Sequence, residues 1–177
     1  ARVFARQARR FKRNRGPRTR VFNSFEMSVV SAQSLEVQQQ AKEILQQVYG
    51  YPEFRAQQLD VIEATIRGQD SLVLMPTGGG KSICYQIPAL LRPGVTLVIS
   101  PLIALMHDQV TALKQIGVNA AYLNSSLSAD QQRSIVDALE AGQLDLLYVA
   151  PERLVQPNML RQLATAAIGL IAIDEAH

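Results

Sequence analysis

The chain has 177 residues, 47% of them hydrophobic, and a single cysteine. That is enough to bury one core of ordinary size and not two, so two independent domains are excluded. The lone Cys84 rules out an intrachain disulfide, and no Cys/His cluster has zinc-ligand spacing.

The formal charge of +3 is the sum of two unlike segments: residues 1–26 hold nine of the 18 Lys and Arg against one acid, Glu26, while residues 27–177 hold nine bases against 14 acids. The globular part is therefore acidic, and a basic overall balance is no evidence for a nucleic-acid footprint on its folded surface. No apolar run approaches the ~18 residues of a membrane span, and no charged-then-apolar signal opens the sequence. The expectation is a cytoplasmic protein in a reducing compartment, with no membrane partner.

Residues 1–34 read as a basic, disordered leader: Arg recurs at irregular spacing, Gly16-Pro17 breaks the chain, and no apolar face is sustained. Three origins stay open for it. It is an arm that binds phosphates through Arg, an Arg-rich transit peptide, or translated sequence upstream of a native start at Met27, where the composition changes.

From residue 35 the pattern is helical, with Ala41, Ile44, Leu45 and Val48 on one face and a stop at Gly50 before Pro52. A second helix follows, with Leu59, Ile62 and Ile66 inward and Gly68 closing it. Short apolar runs then alternate with amphipathic segments of 10–15 residues, the mark of βαβ units. The runs at 72–75, 95–99, 146–149 and 168–173 are continuous rather than alternating, as in parallel strands buried on both faces, and a weaker strand covers 120–123. Between them Leu102, Leu105, Met106, Val110 and Leu113 make a helical core stripe, and Ser128 with Gln131 forms a capping box. The fold class is α/β, a parallel sheet flanked by helices.

Directly after the first of these runs comes Met75-Pro76-Thr77-Gly78-Gly79-Gly80-Lys81-Ser82. Consecutive glycines let backbone N–H groups turn inward on phosphate oxygens, and the following helix N-terminus favours negative charge. Lys81 would neutralise the β- and γ-phosphates of ATP, and the Ser82 hydroxyl would ligate Mg²⁺. The usual pattern opens with Gly where this chain has Met75; the Gly-Lys-Ser chemistry is unaffected. The run 168–173 ends in Asp174-Glu175-Ala176-His177, which puts two carboxylates at the C-terminal edge of the sheet, where ligands bind in open α/β folds. Asp174 is assigned to the metal and Glu175 to the attacking water. A glycine-rich turn with a surface lysine is the plainer alternative for the loop; the strand before it, the helix after it and the acidic box downstream argue against that.

Four stretches together resemble the RecQ family of DNA helicases: Tyr51-Pro52-Glu53-Phe54-Arg55-Ala56-Gln57-Gln58, MPTGGGKSICYQIPAL from Met75, SPLIALMHDQV from Ser100 and YVAPERL from Tyr148, with the acidic box completing the order. The resemblance implies a RecA-like first motor domain over residues 35–177, partial because the family continues past the box into an aromatic-rich loop and a second motor domain. It implies an ATP-dependent, 3′-to-5′ DNA helicase of repair and recombination using Mg²⁺, with no zinc site in this part and an undefined oligomeric state. Tyr51, Arg55 and Gln58 are implied to contact adenine, Gln58 through both ends of its amide. Thr77, Gly78, Gly79, Gly80, Lys81 and Ser82 are implied to hold the phosphates. Ser100 and Arg153 are the candidates for DNA contact. The family commonly has Pro-Gly where this chain has Ala56-Gln57.

In RecA-like folds the strand after the box lies between the phosphate-loop strand and the box strand, so that slot is expected to stand empty here. An arginine finger, worth ~10³ to 10⁵ in rate in related enzymes, belongs to the second domain, so turnover by this part alone is expected to be very slow. The rival readings are a nucleotide- and DNA-binding module without turnover, an RNA helicase and a small-molecule kinase. The Ser-Pro-Leu-Ile-Ala-Leu block speaks against the RNA helicase, and no lid or acceptor segment supports the kinase.

Overall fold

The computed structural model describes residues 2–6, 24–55, 57–76 and 78–175. In chain order the elements are β1 (Arg2–Arg6), α1 (Ser24–Gln47), α2 (Gln58–Ile66), β2 (Ser71–Leu74), α3 (Ile83–Leu91), β3 (Val95–Ile99), α4 (Ile103–Gln115), β4 (Ala120–Leu123), α5 (Ala129–Glu140), β5 (Leu146–Val149), α6 (Pro151–Leu154), α7 (Pro157–Thr165) and β6 (Ile168–Ile173). Apart from β1, every strand expected from the apolar runs is present within one residue of its anticipated bounds.

The strands form one sheet in the order β2-β1-β6-β3-β5-β4. Strand β3 pairs in parallel with β5 and β6, and β5 with β4, with Leu97 opposite both Leu147 and Ile171. Such a register demands crossovers, and the helices supply them. One set of buried side chains, including Tyr85, Val98, Met106, Val110, Tyr148 and Ala172, joins the sheet to α3 and α4. A second set, including Leu97, Val136, Leu147, Met159 and Leu163, joins its opposite face to α5 and α7. Helices α1 and α2 pack on α3 through Ala41, Leu45, Ile62, Ile83 and Ile87.

Local sequence explains several of these elements. Helix α5 starts at the anticipated capping box: Ser128 N–H donates to Gln131 Oε1 at 2.9 Å and Gln131 N–H to Ser128 Oγ at 3.3 Å, so two otherwise orphaned donors are satisfied reciprocally. Helices α6 and α7 each begin on a proline, Pro151 and Pro157, where the missing N–H costs no intrahelical bond.

Three expectations are corrected. The slot between β2 and β6 is filled rather than empty: β1 lies there antiparallel to both neighbours, with Phe4 opposite Leu72 and Ile173. Insertion gives inner backbone groups of β2 and β6 hydrogen-bonding partners. Residue 1 and residues 7–23 of the anticipated leader lie outside the described residues. Second, β2 is not buried on both faces. Val73 is buried against α3, whereas Leu72 and Leu74 are 52% and 62% exposed, because β2 is an edge strand and α5 and α7 cover only the β3, β4 and β5 side. Third, Leu102 is exposed rather than core; it is the N-cap of α4, in extended backbone, and so precedes the buried stripe.

Candidate nucleotide-binding site

The loop between β2 and α3 has the backbone its glycines allow. Gly78 and Gly80 have φ of +77° and +75°, a region closed to most L side chains. Gly79 is demanded by space instead, since a Cβ there would stand 2.9 Å from the Pro76 carbonyl oxygen. Lys81 folds back over the loop, its Nζ donating to the carbonyls of Met75 and Pro76 at 3.3 and 3.4 Å. Ser82 caps α3 in helical backbone without using its hydroxyl for the cap, so the Oγ remains available as a ligand. Thr77 lies outside the described residues, as do Ala176 and His177.

Asp174 follows β6 at the same edge of the sheet. Its N–H donates to the Ile99 carbonyl at 2.8 Å, which extends the β3–β6 ladder by one step and fixes where the carboxylate emerges. The side chain is 9% exposed, and burial pushes its carboxyl above the usual carboxylate range. The Glu175 N–H, donating to Oδ1 at 3.0 Å, works against that rise; the Glu175 carboxylate adds to it, and the Lys81 ammonium and Tyr85 hydroxyl oppose it. Lys81 and Asp174 are thus brought within electrostatic reach across the loop. Glu175 has φ +53°, a left-handed conformation that costs a residue with a Cβ about 1–2 kcal/mol.

On the base side, Tyr51, Arg55, Gln58, Gly78, Gly80 and Ser82 line one cavity of about 340 Å³, whose far wall includes Gln86 of α3 and Gln109 of α4. That lies within the size range of small-molecule sites. Lys81, Asp174 and Glu175 stand outside its walls, so the cavity and the lysine–carboxylate side are separate and meet at the glycines. Arg55 lies over the Tyr51 ring at 5.9 Å from the centroid. Gln58 departs from the expected picture of an amide open to the base. It is 3% exposed, its Oε1 accepts from Arg55 N–H at 2.8 Å, and its Nε2 donates to the Gly80 carbonyl at 3.0 Å. It is a strut between the base-side loop and the phosphate loop, and each end retains only one further hydrogen-bonding position.

The chain belongs to the DEAD/DEAH box helicase family. The family pattern matches residues 55–177, from Arg55 through the acidic box. Among curated proteins, this helicase-family chain is 47% identical over 150 residues to the ATP-dependent DNA helicase RecQ of Pasteurella multocida, covering 85% of the chain and 24% of that protein. It is 50% identical over 137 residues to the RecQ of Haemophilus influenzae, and 48% over 138 residues to that of Bacillus subtilis. In both cases 77% of the chain is covered, with 22% and 23% of the relatives. The helicase-family chain therefore spans about a quarter of the length of these relatives.

The donor set of this helicase-family site suits a nucleotide with a hard divalent ion: a hydroxyl, a carboxylate and a glycine cradle that side chains would fill. The two DNA-contact candidates follow neighbouring strands. Ser100 succeeds β3 and Arg153 lies in α6 just past β5, with Ser100 N–H donating to the Val149 carbonyl at 3.2 Å. Ser100 is buried with its Oγ unpartnered. Arg153 is half-buried, one guanidinium nitrogen donating to Gln132 Oε1 at 2.6 Å and its Nε unpartnered. Sequence reading missed Asn124 beside them, which ends β4 with Nδ2 buried and unpartnered and Oδ1 accepting from Ser126. The available signal was a polar residue directly after an apolar strand in a parallel sheet.

Proposed function

We propose that this chain is the ATP-binding part of a RecQ-type, ATP-dependent DNA helicase that unwinds in the 3′-to-5′ direction with Mg²⁺. The observation that carries the proposal is the convergence at one sheet edge of a left-handed glycine loop, Lys81, Ser82 and Asp174 beside a cavity lined by Tyr51, Arg55 and Gln58. Direction of unwinding and a role in repair and recombination rest on the RecQ resemblance alone.

In this reading, backbone N–H groups at Gly78 to Gly80 and the start of α3 receive the phosphates, and Lys81 exchanges its weak carbonyl bonds for phosphate oxygens. The Ser82 Oγ and an Asp174 carboxylate oxygen are the protein ligands for Mg²⁺. The ion supplies charge neutralisation on the phosphate oxygens when bound. Glu175 orients and deprotonates the attacking water. Tyr51 and Arg55 take the adenine. Gln58, already holding Arg55 and Gly80, adds one donor and one acceptor or exchanges the Gly80 bond for the base. Arg153 receives a phosphate of single-stranded DNA, and Ser100 and Asn124 join it after a local shift that exposes their unpartnered atoms.

Titration of a fluorescent ATP analogue tests the site. The wild-type chain binds and Lys81→Ala binds at least tenfold more weakly; equal binding would remove the phosphate-loop reading. Anisotropy with a labelled single-stranded oligonucleotide, with and without nucleotide, tests the DNA step. Affinity that responds to nucleotide supports a motor domain, whereas nucleotide-independent affinity supports a binding module without turnover.

A further inference from the structure

Tyr85 lies three residues past Ser82, in the helix that the phosphate loop opens into, and is 1% exposed. Its ring meets Tyr148 of β5 edge-on, with centroids 6.4 Å apart and planes at 68°. Its hydroxyl is completely buried and makes no hydrogen bond. A buried hydroxyl without a partner is costly, and an apolar ring would fill the same space. Tyr85 packs in one buried cluster with Ala172 of β6, which lies two positions before Asp174 and therefore on the same face of that strand; the ring thus lies on the side of the sheet from which Asp174 emerges, and burial first, then Tyr148 and Asp174, push its hydroxyl up.

The groups behind it have a direction. Gln86 Nε2 donates to Gln109 Oε1 at 2.8 Å and to Tyr148 Oη at 3.2 Å, which uses both of its protons. Tyr148 therefore accepts on that side, and its own proton is left to point elsewhere. Tyr85 is the neighbouring hydroxyl. An ionised carboxylate can only accept, so a chain of donors running Gln86, Tyr148, Tyr85 terminates naturally on Asp174. Its far end is pinned by Gln109 of α4 in the wall of the base-side cavity.

We propose that Tyr85 is a positioning residue for Asp174: in the nucleotide-loaded state its hydroxyl donates to the Asp174 carboxylate, and the Gln86–Tyr148 chain holds that hydroxyl in place. The carboxylate then has one oxygen tied by Glu175 N–H and protein donors fixing its plane, so that an oxygen is presented to the metal in a single orientation. Partners of this kind around metal ligands commonly change metal affinity by 10–100-fold when lost. The proposal rests on the reading of Asp174 as a metal ligand.

The test is the Mg²⁺ concentration that half-saturates binding of a fluorescent ATP analogue to the chain, alongside the metal-free affinity in EDTA and the melting temperature. Tyr85→Phe is expected to raise the Mg²⁺ half-saturation about tenfold, leave metal-free affinity unchanged and leave the melting temperature equal or higher. Tyr148→Phe, which keeps the Tyr85 hydroxyl, should give a smaller shift in the same direction and serves if Tyr85→Phe does not fold. Thr96→Val removes another buried, unpartnered hydroxyl, from β3, and should move neither affinity. An Asp174→Asn chain that loses its Mg²⁺ response while Tyr85→Phe and Tyr148→Phe match wild type overturns the positioning role and leaves the metal-ligand reading standing. A wild-type chain indifferent to Mg²⁺, or an Asp174→Asn chain with an unchanged response, overturns both.

Discussion

Gly78 and Gly80 share the same backbone conformation, φ +77° and +75°, in unlike surroundings. A Cβ on Gly78 meets nothing within 4 Å, whereas one on Gly80 falls inside contact distance of Gln58 Nε2. Both Gly→Ala changes carry the left-handed strain of about 1–2 kcal/mol, offset by about 0.4–1 kcal/mol from the stiffer unfolded chain. Gly78→Ala should therefore cost about 1 kcal/mol. Gly80→Ala also displaces the Gln58 amide and forfeits its bond to the Gly80 carbonyl, a further ~1 kcal/mol. Urea unfolding followed by circular dichroism reads the difference as a midpoint lower by roughly 0.5 M, given slopes of about 1–3 kcal/mol per M. In a Gln58→Ala background the two glycine changes should cost the same. Equal costs in the wild-type background, or an excess for Gly80→Ala that survives Gln58→Ala, would refute the strut between base-side and phosphate loops.

Asp174→Asn should stabilise the fold at neutral pH. The native carboxyl is raised above its ordinary 3.8 by burial, so ionisation opposes folding, and the gain from the neutral amide, read as a melting-temperature difference, should shrink to nothing as pH falls below that value; a gain independent of pH would contradict it. Cys84 is 2% exposed and its thiol is pushed up to about 12 by burial. With roughly one thiolate in 10⁴ at pH 8, it should resist a disulfide reagent in the native chain and react only after unfolding. Ser128→Ala removes the Oγ acceptor of the Gln131 N–H while the Ser128 N–H keeps its bond to Gln131 Oε1, and should cost about 1 kcal/mol in the same urea assay. Arg153→Ala should weaken single-stranded DNA binding and flatten the dependence of log affinity on log salt by about 0.7, the share of one phosphate; an unchanged slope would remove Arg153 from the interface.

The parts of the fold legible in the sequence are those whose cause is local. Three glycines before Lys81-Ser82, a serine three residues before Gln131 and continuous apolar runs at 95–99 and 146–149 each specify their own backbone, and the structure has them. What was not legible depends on neighbours distant in the chain. The exposure of Leu72 and Leu74 follows from β2 lying at the edge of the sheet beyond the reach of α5 and α7, and an apolar run does not reveal which face lacks a helix. The strand at Arg2–Arg6 carries the composition of a disordered arm, and its pairing comes from the backbone groups that β2 and β6 offer. The amide of Gln58 was identified, but its use as an internal strut required knowing that Gly80 stands against it. Tyr85 stood only as one letter of the stretch from Met75, because nothing in the sequence around Tyr148 announces that the two rings meet.

The acidic box concentrates placements that stability alone disfavours. Asp174 is a carboxylate whose burial opposes its charge, Glu175 sits in left-handed backbone, and the Tyr85 hydroxyl beside them has no partner. Each has a cheaper substitute: asparagine at 174, glycine at 175, phenylalanine at 85. The three neighbouring strand ends repeat the pattern more mildly, with Ser100 Oγ, Asn124 Nδ2 and Arg153 Nε unpartnered at the edge where β3, β4 and β5 finish. In the body of the sheet beneath, Leu97, Val98, Leu146 and Leu147 pack without such conflict. Local rules are broken where a site needs groups poised for something outside the fold. Tyr49 Oη, Thr65 Oγ1, Arg92 Nε and Thr96 Oγ1 are unpartnered away from this edge, so it is the coincidence of a buried carboxylate and a left-handed Glu175 beside the glycine loop, rather than unpartnered atoms as such, that marks it. A glycine-rich turn accounts for the positive φ of Gly78 and Gly80 but not for a buried carboxylate across from its lysine, and that is what favours the phosphate-binding reading proposed above.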